Sequence, residues 1–322
     1  MDELAFAQQY QLSLPSLWSA RDAVLDGSGY KVERARKRRG GYREVFVPEP
    51  SVDTMLTVLR NGLSALYIPP ECAHGYIRGR SIVSNAKPHC GHDVLLNLDL
   101  RNFFPSIGRD RVESMLMRFG AAPDLTALVC DLALVRDWVP AGFPTSPVIS
   151  NMVFLEMDFC LMKWAGEHEV TYTRYADDLS FSGKQITDGD LAEIEQLLGQ
   201  DGWQINRSKT HLTRAGQAQY VTGLFVGLGD GPRVPRRLKR AFRMQAHYLQ
   251  QYGYADCHDR VPRTAGWRKM RGWMNYFVQV EPALQGRLAE MLAGIDFDLP
   301  IRLNGDSDWD EMLSELGIPE WD

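Results

Sequence analysis

The stretch TRYADDLSFSG, residues 173–183, places two adjacent aspartates between runs that alternate like β-strands. Residues 170–175 and 179–183 predict the two strands of a hairpin, with Asp177 and Asp178 at its tip. Adjacent like charges repel each other, and a fold keeps them together only where something compensates them. The hairpin therefore indicates a cation site, and the structural alternative is a pair of aspartates in an ordinary polar turn.

Secondary-structure signals around the hairpin extend it into a sheet. Residues 93–100, DVLLNLDL, predict a buried strand, and DRVESMLMRFG after them predicts a helix with Asp110 as N-cap and Glu113 completing a capping box. Residues 147–165 predict one long helix, residues 188–199 a capped helix, and WQIN at 203–206 a last strand before KTHL. This order gives a βαββαβ split sheet with helices on one face.

The N-terminal part is predicted as a helical lead-in over residues 1–30, a strand at 43–50 and a helix from Asp53, which serves as its N-cap. Asp99 ends the first strand of the sheet, so three carboxylates, Asp99, Asp177 and Asp178, are expected to converge at one edge. Carboxylate oxygens with room for water suit Mg²⁺ or Mn²⁺, and a pair of such ions supports phosphoryl transfer.

The charge distribution fits contact with phosphates. The chain carries a net charge of −5, but residues 295–322 hold nine acidic residues and one basic residue, so the remainder carries +3. Residues 31–43 contain seven basic residues and residues 233–243 contain six. Local positive charge is what nucleic-acid binding requires. Two solvated surface segments are the alternative.

Four sequence motifs resemble those of reverse transcriptases, in the order that the family has them. They are LDLRNFFPSI at 98–107, GFPTSPVISN at 142–151, TRYADD at 173–178 and INRSKT at 205–210. Two more resemble bacterial retron reverse transcriptases: Asn-Ala-x-x-His within SIVSNAKPH at 81–89, and Val-Thr-Gly within QYVTGLFVG at 219–227. The chain is therefore identified as similar to a retron-type RNA-directed DNA polymerase, over about residues 42–227.

The resemblance implies an α+β fold with the right-hand polymerase architecture. Residues 1–92 would form N-terminal helices and fingers, residues 93–228 a palm with the catalytic aspartates, and residues 229–322 a helical thumb with an acidic tail. It also implies that Asp99, Asp177 and Asp178, helped by the backbone carbonyl of Leu100, bind two Mg²⁺ ions. Lys209 would be the general acid beside the leaving pyrophosphate.

The resemblance assigns further residues to the nucleotide. Phe104 would exclude a ribose 2′-hydroxyl, Tyr175 would touch the primer end, and Arg80 would contact the triphosphate. The loop motif of the family opens Pro-Gln-Gly-Ala-Pro, but this chain has Ala141 in place of the glutamine and Phe143 in place of the alanine. We expect this departure to affect nucleotide binding at Phe143 without abolishing activity.

RNA contacts are expected from the retron motifs and from a basic helix after Pro235. The predicted RNA-binding residues are Asn85, His89, Val221, Thr222, Gly223, Arg236, Arg237, Lys239, Arg240 and Arg243. In the family these regions recognise a structured noncoding RNA, which also supplies the 2′-hydroxyl primer, so that the product is RNA-linked multicopy single-stranded DNA. The implied partners are this RNA and its RNA–DNA product, deoxynucleotides and an effector protein in an antiphage unit.

Two alternatives stay open at this point. The chain could be a reverse transcriptase of another bacterial lineage, of the group II intron or diversity-generating type. It could also be a non-catalytic RNA-binding scaffold that sequesters an effector. Five scattered cysteines, no signal peptide and no membrane-spanning run lead us to expect a cytoplasmic protein.

Overall fold

The computed structural model describes residues 1–36, 40–229, 231–260, 264–295 and 297. They fall into two compact units: Met1–Asn85 with His92–Ala215, and Ala86–Gly91 with Gly216–Asp322. The acidic segment from Asp296 lies outside the described residues except for Phe297, and so do three residues of the first basic block, 37–39. Within the described residues, none of the helices is long and apolar enough to cross a bilayer.

The first unit is built from helices around one four-stranded sheet. Its helices are α1 (Glu3–Gln9), α2 (Leu14–Asp26), α3 (Pro50–Leu66), α5 (Arg109–Arg118), α6 (Pro123–Ala133), α7 (Ser146–Val153), α8 (Leu155–Glu167) and α9 (Asp188–Gln200), and the short α4 (Ile82–Ala86) leads out of it. Its strands are β1 (Tyr30–Arg36), β2 (Tyr42–Pro48), β3 (Val94–Asp99), β4 (Thr171–Tyr175), β5 (Asp178–Gly183) and β6 (His211–Arg214). The α+β class is confirmed.

The central sheet has the strand order β4–β5–β3–β6, and all its neighbours are antiparallel. Leu96, Leu98 and Phe181 are almost fully buried, which agrees with the apolar run in β3 and with the alternating apolar residues in β5. In the register of β3 against β5, Asp99 lies opposite Asp178. The sheet thus places the end of one strand against the start of the other.

The prediction of a strand at WQIN was wrong. The backbone N–H of Asn206 donates to Asp99 O at 2.7 Å and that of Arg101 donates to Gln204 O at 2.7 Å. Only a single bridge, Leu100 with Ile205, forms there, because the chain then turns through the 3₁₀ segment Arg207–Lys209. The ladder with β3 is made by β6, which begins five residues after Asn206.

Three predicted helix boundaries are also corrected. Helix α3 begins at Pro50 after Glu49, because proline is preorganised for the first helical position, and Asp53 lies within the first turn. Helix α5 begins at Arg109 after Gly108 without a side-chain cap, so Asp110 forms no capping box with Glu113.

The predicted long helix is two helices, α7 and α8, separated at Phe154. The prediction of a capped helix at 188–199 is confirmed. Thr187 Oγ accepts from Asp190 N at 3.2 Å, while Asp190 Oδ2 accepts from Thr187 N at 2.7 Å. The capping signal holds at α9 because its acid lies three residues after a threonine that precedes the helix.

The second unit combines a small hairpin with helices. Its elements are the 3₁₀ segment Lys87–His89, β7 (Tyr220–Val221), β8 (Leu224–Phe225), α10 (Arg236–Arg260), α11 (Trp267–Val280), the 3₁₀ segment Pro282–Leu284 and α12 (Gln285–Leu292). Gly91 N donates to Val226 O at 3.0 Å, which ties the early segment to residues after the hairpin. The Phe242 and Phe277 rings, 5.6 Å apart, pack α10 against α11.

Candidate active site

The three aspartates of the sequence motifs meet at one edge of the central sheet. Asp99 is the last residue of β3 and Asp178 the first of β5, and they are direct partners in the ladder. The Leu100 N–H donates to Asp177 O at 3.0 Å, so the turn residue is tied to the chain just beyond Asp99. The structure therefore brings together Asp99, Leu100, Asp177 and Asp178.

The turn between β4 and β5, residues 175–178, is tight and strained. Ala176 has φ 55°, a left-handed conformation that is unfavourable for a residue with a Cβ. Gly75 lies against it so closely that a Cβ at position 75 would come 2.4 Å from Ala176 N. Only glycine fits there, and the loop at Gly75 thereby limits where this turn can lie.

Lys209 and Asn206 occupy both oxygens of Asp99. Lys209 Nζ lies 2.6 Å from Asp99 Oδ2, and Asn206 Nδ2 donates to Asp99 Oδ1 at 3.2 Å. Partial burial lowers the pKa of Lys209, but the hydrogen bond and the charge of Asp99 outweigh it, so the pKa is raised and the ammonium form is favoured. Sequence reasoning had assigned Lys209 and missed Asn206, although both lie in the INRSKT motif.

Negative charge is crowded at this edge. Loss of hydration raises the pKa of Asp178 well above its ordinary value, and the charges of Asp177 and Asp99 raise it further, while Lys209 opposes the rise. The Asp178 side chain nevertheless keeps access to solvent, so a cation can reach it. Oxygen donors with excess negative charge and an open side fit Mg²⁺ or Mn²⁺, with Asp99, Asp177 and Asp178 as the candidate ligands.

A second group of acids at the surface of the first unit is explained without a metal. His168, Asp190 and Glu193 have ligand atoms within 4.8 Å of one another. Asp190 caps α9 through Thr187, and Glu193 Oε2 accepts from Trp164 Nε1 at 2.9 Å and lies 3.3 Å from His168 Nε2. These contacts account for the grouping.

A fully buried ion pair supports the hairpin strand β4. Arg174 and Asp158 are 0% exposed, and Arg174 donates from Nε and Nη2 to the two Asp158 oxygens at 2.8 and 2.6 Å. Tyr172 OH donates to Asp158 Oδ1 at 2.9 Å. Burial lowers the pKa of Arg174, but the Asp158 charge more than reverses this and holds the guanidinium protonated.

Two residues predicted to contact the nucleotide, Phe104 and Tyr175, are only partly buried. Phe104 begins a 3₁₀ turn five residues after Asp99, is half-buried, and its ring centroid lies 6.4 Å from that of Tyr76. Tyr175 ends β4 and is half-buried, and burial raises its pKa. Tyr76, which is 41% exposed with φ 61°, escaped sequence reasoning because only the fold places it beside Phe104.

Two other nucleotide assignments are corrected by the geometry. Phe143 is only 2% exposed and its ring packs 6.0 Å from that of Tyr30, so its side chain belongs to the core and is withdrawn as a nucleotide contact. The Arg80 guanidinium donates to the backbone carbonyls of Pro70 and Ala73 and so ties its own loop together. This geometry does not favour Arg80 as a triphosphate ligand.

The RNA assignments divide by burial. Asn85, His89 and Val221 are at most 1% exposed, so their side chains support the fold and are withdrawn as direct RNA contacts. Thr222 and Gly223 form the half-exposed turn of the hairpin β7–β8, with φ 43° and 74°. Four arginines of α10 are exposed: Arg236, Arg237, Arg240 and Arg243.

Lys239 differs from its neighbours on α10. Its Nζ lies 2.7 Å from Glu281 Oε1, which also accepts from Val234 N at 2.7 Å. Lys239 therefore joins α10 to the end of α11 and is less suited to phosphate contact than the exposed arginines. Charge alone in the sequence could not separate it from them.

Comparisons with known proteins agree with this geometry. Residues 35–228 match the family described as reverse transcriptase (RNA-dependent DNA polymerase). The chain is 36% identical to the retron Mx65 reverse transcriptase of Myxococcus xanthus, over 65% of this chain and 54% of that protein. It is 33% identical to the retron Ec83 reverse transcriptase of Escherichia coli, over 80% of this chain and 85% of that protein.

This chain spans about half the length of the Mx65 protein. Among solved structures, telomerase from Candida albicans in complex with a fragment of telomeric RNA aligns with a TM-score of 0.49 at 11% identity, over 89% of this chain and 59% of that chain.

Proposed function

Since this chain belongs to the reverse transcriptase family, and within it to the bacterial retron type, we propose that it is an RNA-directed DNA polymerase. The observation that carries the proposal is the pairing of Asp99 with Asp178 across β3 and β5, with Asp177 tied to the same strand end. These carboxylates would hold two divalent cations, Mg²⁺ or Mn²⁺. The bound ions would supply charge for the attacking 3′-oxygen and for the leaving pyrophosphate.

The chain's own residues would orient and protonate the reactants. The primer 3′-oxygen would form a bond to the α-phosphorus of the nucleotide, while the bond between that phosphorus and the oxygen bridging to the β-phosphate breaks. The 3′-hydroxyl proton would pass to solvent. Lys209, held protonated beside Asp99, would give a proton to the leaving pyrophosphate. Phe104 would exclude a ribose 2′-hydroxyl, and Tyr175 would border the primer end.

The polymerase layout is part of the proposal: fingers in residues 1–92, palm in 93–228 and thumb in 229–322. The four exposed arginines of α10 would bind phosphates of a structured RNA or of an RNA–DNA hybrid. Retron membership supports an RNA from the chain's own locus as template and 2′-hydroxyl primer, and RNA-linked single-stranded DNA as product. We extend this to an antiphage unit with an effector, and to the cytoplasm, where the five cysteines, all thiols here, are stable.

The test is to purify the full chain expressed with its native flanking locus and to analyse the nucleic acid that co-purifies. We expect RNA joined through a 2′ position to single-stranded DNA, and loss of this DNA in Asp177→Ala Asp178→Ala. A matched control, Asp22→Ala Glu167→Ala, removes two exposed acids that lie outside the motifs and should retain the DNA.

The other outcomes separate the competing functions. RNA without DNA in both preparations would contradict the polymerase and support a scaffold. DNA made without a 2′ linkage would support a reverse transcriptase of another lineage. No bound nucleic acid in any preparation would overturn both.

A further inference from the structure

The turn at residues 175–178 is held in place by one buried side chain, that of Arg174. Arg174 Nη1 donates to the carbonyl of Ala176 at 3.1 Å and to Asn151 Oδ1 at 3.0 Å, while Asp158 accepts from Nε and Nη2. The guanidinium also lies 4.7 Å from the centre of the Phe154 ring. Hydrogen bonds from Nε, Nη1 and Nη2 therefore fix the guanidinium in place. One of these bonds goes to the carbonyl of Ala176, the residue of the turn with the strained backbone.

Asn151 extends the same contacts to a second loop. It accepts from Arg174 through Oδ1, and its Nδ2 donates to Gly75 O at 3.0 Å. The loop is further joined to β4 by backbone bonds, since His74 N donates to Arg174 O at 2.7 Å and Arg174 N donates to Cys72 O at 2.7 Å. Gly75 in turn lies against Ala176 N. The loop, the helix α7 and the turn thus form one connected set.

The strained backbone of Ala176 needs contacts that hold it in place. Ala176 has no side chain that could stabilise its left-handed conformation, and left alone a turn of this kind relaxes toward negative φ. Asp177 and Asp178 follow it directly, so a relaxation at Ala176 would move both carboxylates. Fixed placement of such groups within fractions of an ångström is what metal binding and catalysis require.

We propose that Asp158, Arg174 and Asn151 form a positioning network that fixes Ala176 in its strained conformation and thereby places Asp177 and Asp178 to bind divalent cations. None of the three touches the reacting atoms, so they are positioning residues. The effect on turnover rests on the proposed function, whereas the effect on cation binding does not.

The experiment measures Mn²⁺ binding to the full chain by electron paramagnetic resonance, with Asp177→Ala Asp178→Ala defining binding elsewhere, and nucleotide addition on a primed RNA template. Asn151→Ala removes the bonds to Arg174 and Gly75, and should weaken Mn²⁺ binding about fivefold and lower kcat about tenfold. The nucleotide KM should change less than about twofold, because Asn151 does not contact the substrate.

The matched control is Ser150→Ala on the same helix. Ser150 is 0% exposed, and its hydroxyl donates to Pro147 O at 2.8 Å, a bond that stays within α7. The two variants should melt at similar temperatures, and the control should keep wild-type Mn²⁺ affinity. A loss of affinity in both variants that follows their melting temperatures would overturn the proposal.

A second variant distinguishes positioning from general loosening. Glycine adopts positive φ without strain, so Ala176→Gly should restore at least half of the lost Mn²⁺ affinity in the Asn151→Ala background. Added losses in the double variant would contradict the network's role. If Asn151→Ala does not fold, Asn151→Asp, which retains an acceptor for Arg174 and loses the donor to Gly75, takes its place with the same rescue.

Failure of the proposed function would look different. A wild-type chain that binds Mn²⁺ and adds no nucleotide would contradict the polymerase, and the network would then be judged by Mn²⁺ affinity alone.

Discussion

Asp178 and Asp158 both serve the hairpin β4–β5, yet their surroundings are opposite. Asp178 lies at an open sheet edge where three carboxylates face Lys209, so negative charge is in excess there. Asp158 is 0% exposed and matched by Arg174 through two hydrogen bonds. The difference teaches that an unbalanced group of acids is a place for a cation to bind, whereas a balanced buried pair holds the backbone in place.

The largest expected effect is on stability, at the balanced pair. Asp158→Asn leaves the Arg174 charge buried without its counter-ion, which should lower the free energy of unfolding by about 3–5 kcal/mol. Urea denaturation measures this. Replacing both partners, as Asp158→Leu Arg174→Met, should destabilise less than the single change, because no uncompensated charge remains.

The exposed pair Lys163–Glu167, 3.9 Å apart on α8, is the control for this prediction. Glu167→Gln should change the free energy of unfolding by less than about 0.5 kcal/mol. If Asp158→Asn lowers the free energy of unfolding no more than Glu167→Gln does, the proposed stabilising role of the buried Asp158–Arg174 pair is contradicted.

A smaller effect is expected where Lys209 meets the unbalanced group. Lys209→Met removes the ammonium that competes for Asp99, so Mg²⁺ should bind a few times more tightly, while turnover falls about a hundredfold for lack of a proton donor. Single-turnover extension at a series of Mg²⁺ concentrations separates the two. Lys209→Arg keeps the charge and holds its proton, so full turnover in that variant would refute the proton-donor role.

The smallest effect concerns pH. Because the folded state raises the pKa of Asp178 from 3.8 to about 8, ionisation of this group opposes folding, and the metal-free protein loses stability as pH rises from about 4 to about 8, with little further loss above that. Asp178→Asn lacks this carboxylate. In EDTA its melting temperature should exceed that of the wild type by about 1–3 °C at pH 9, and the difference should shrink as pH falls and vanish at about pH 4.

Asp188→Asn, at the exposed start of α9, controls for the loss of one surface carboxylate. Excess Mg²⁺ should remove the wild-type deficit at pH 9, because a bound cation compensates the ionised carboxylates. A pH-independent difference between Asp178→Asn and the wild type would show that the crowding of charge is not felt in stability.

The sequence predicted the unbalanced site well, because each part of it is local. A short apolar run defines β3, alternation defines β4 and β5, and a two-residue link between β4 and β5 makes them neighbours. The positions of Asp99 at a strand end and of Asp177 and Asp178 at a hairpin tip then follow from the strand pairing. For short motifs at strand ends, the relative positions of the residues can therefore be predicted from the sequence.

The balanced pair could not be predicted in the same way. Asp158, on α8, reads as one acid in an amphipathic helix, and nothing local distinguishes it from Glu156 before it. Its partner lies 16 residues away on a strand, so only the packing of α8 on β4 reveals the contact. The prediction of Phe143 as a nucleotide contact was not supported for a related reason. A motif gives the position of a residue in the chain but not the direction of its side chain.

Residues Ala86–Gly91 belong to the second compact unit, although the first unit resumes at His92 and continues to Ala215. A ribosome making this chain releases the six-residue segment before residues 216–322, with which it forms the second unit, have been made. At typical synthesis rates of about 5–20 residues per second, those residues follow several seconds later. The second unit thus assembles late around an early strip of chain, and no single cut of the polypeptide can separate the two units intact.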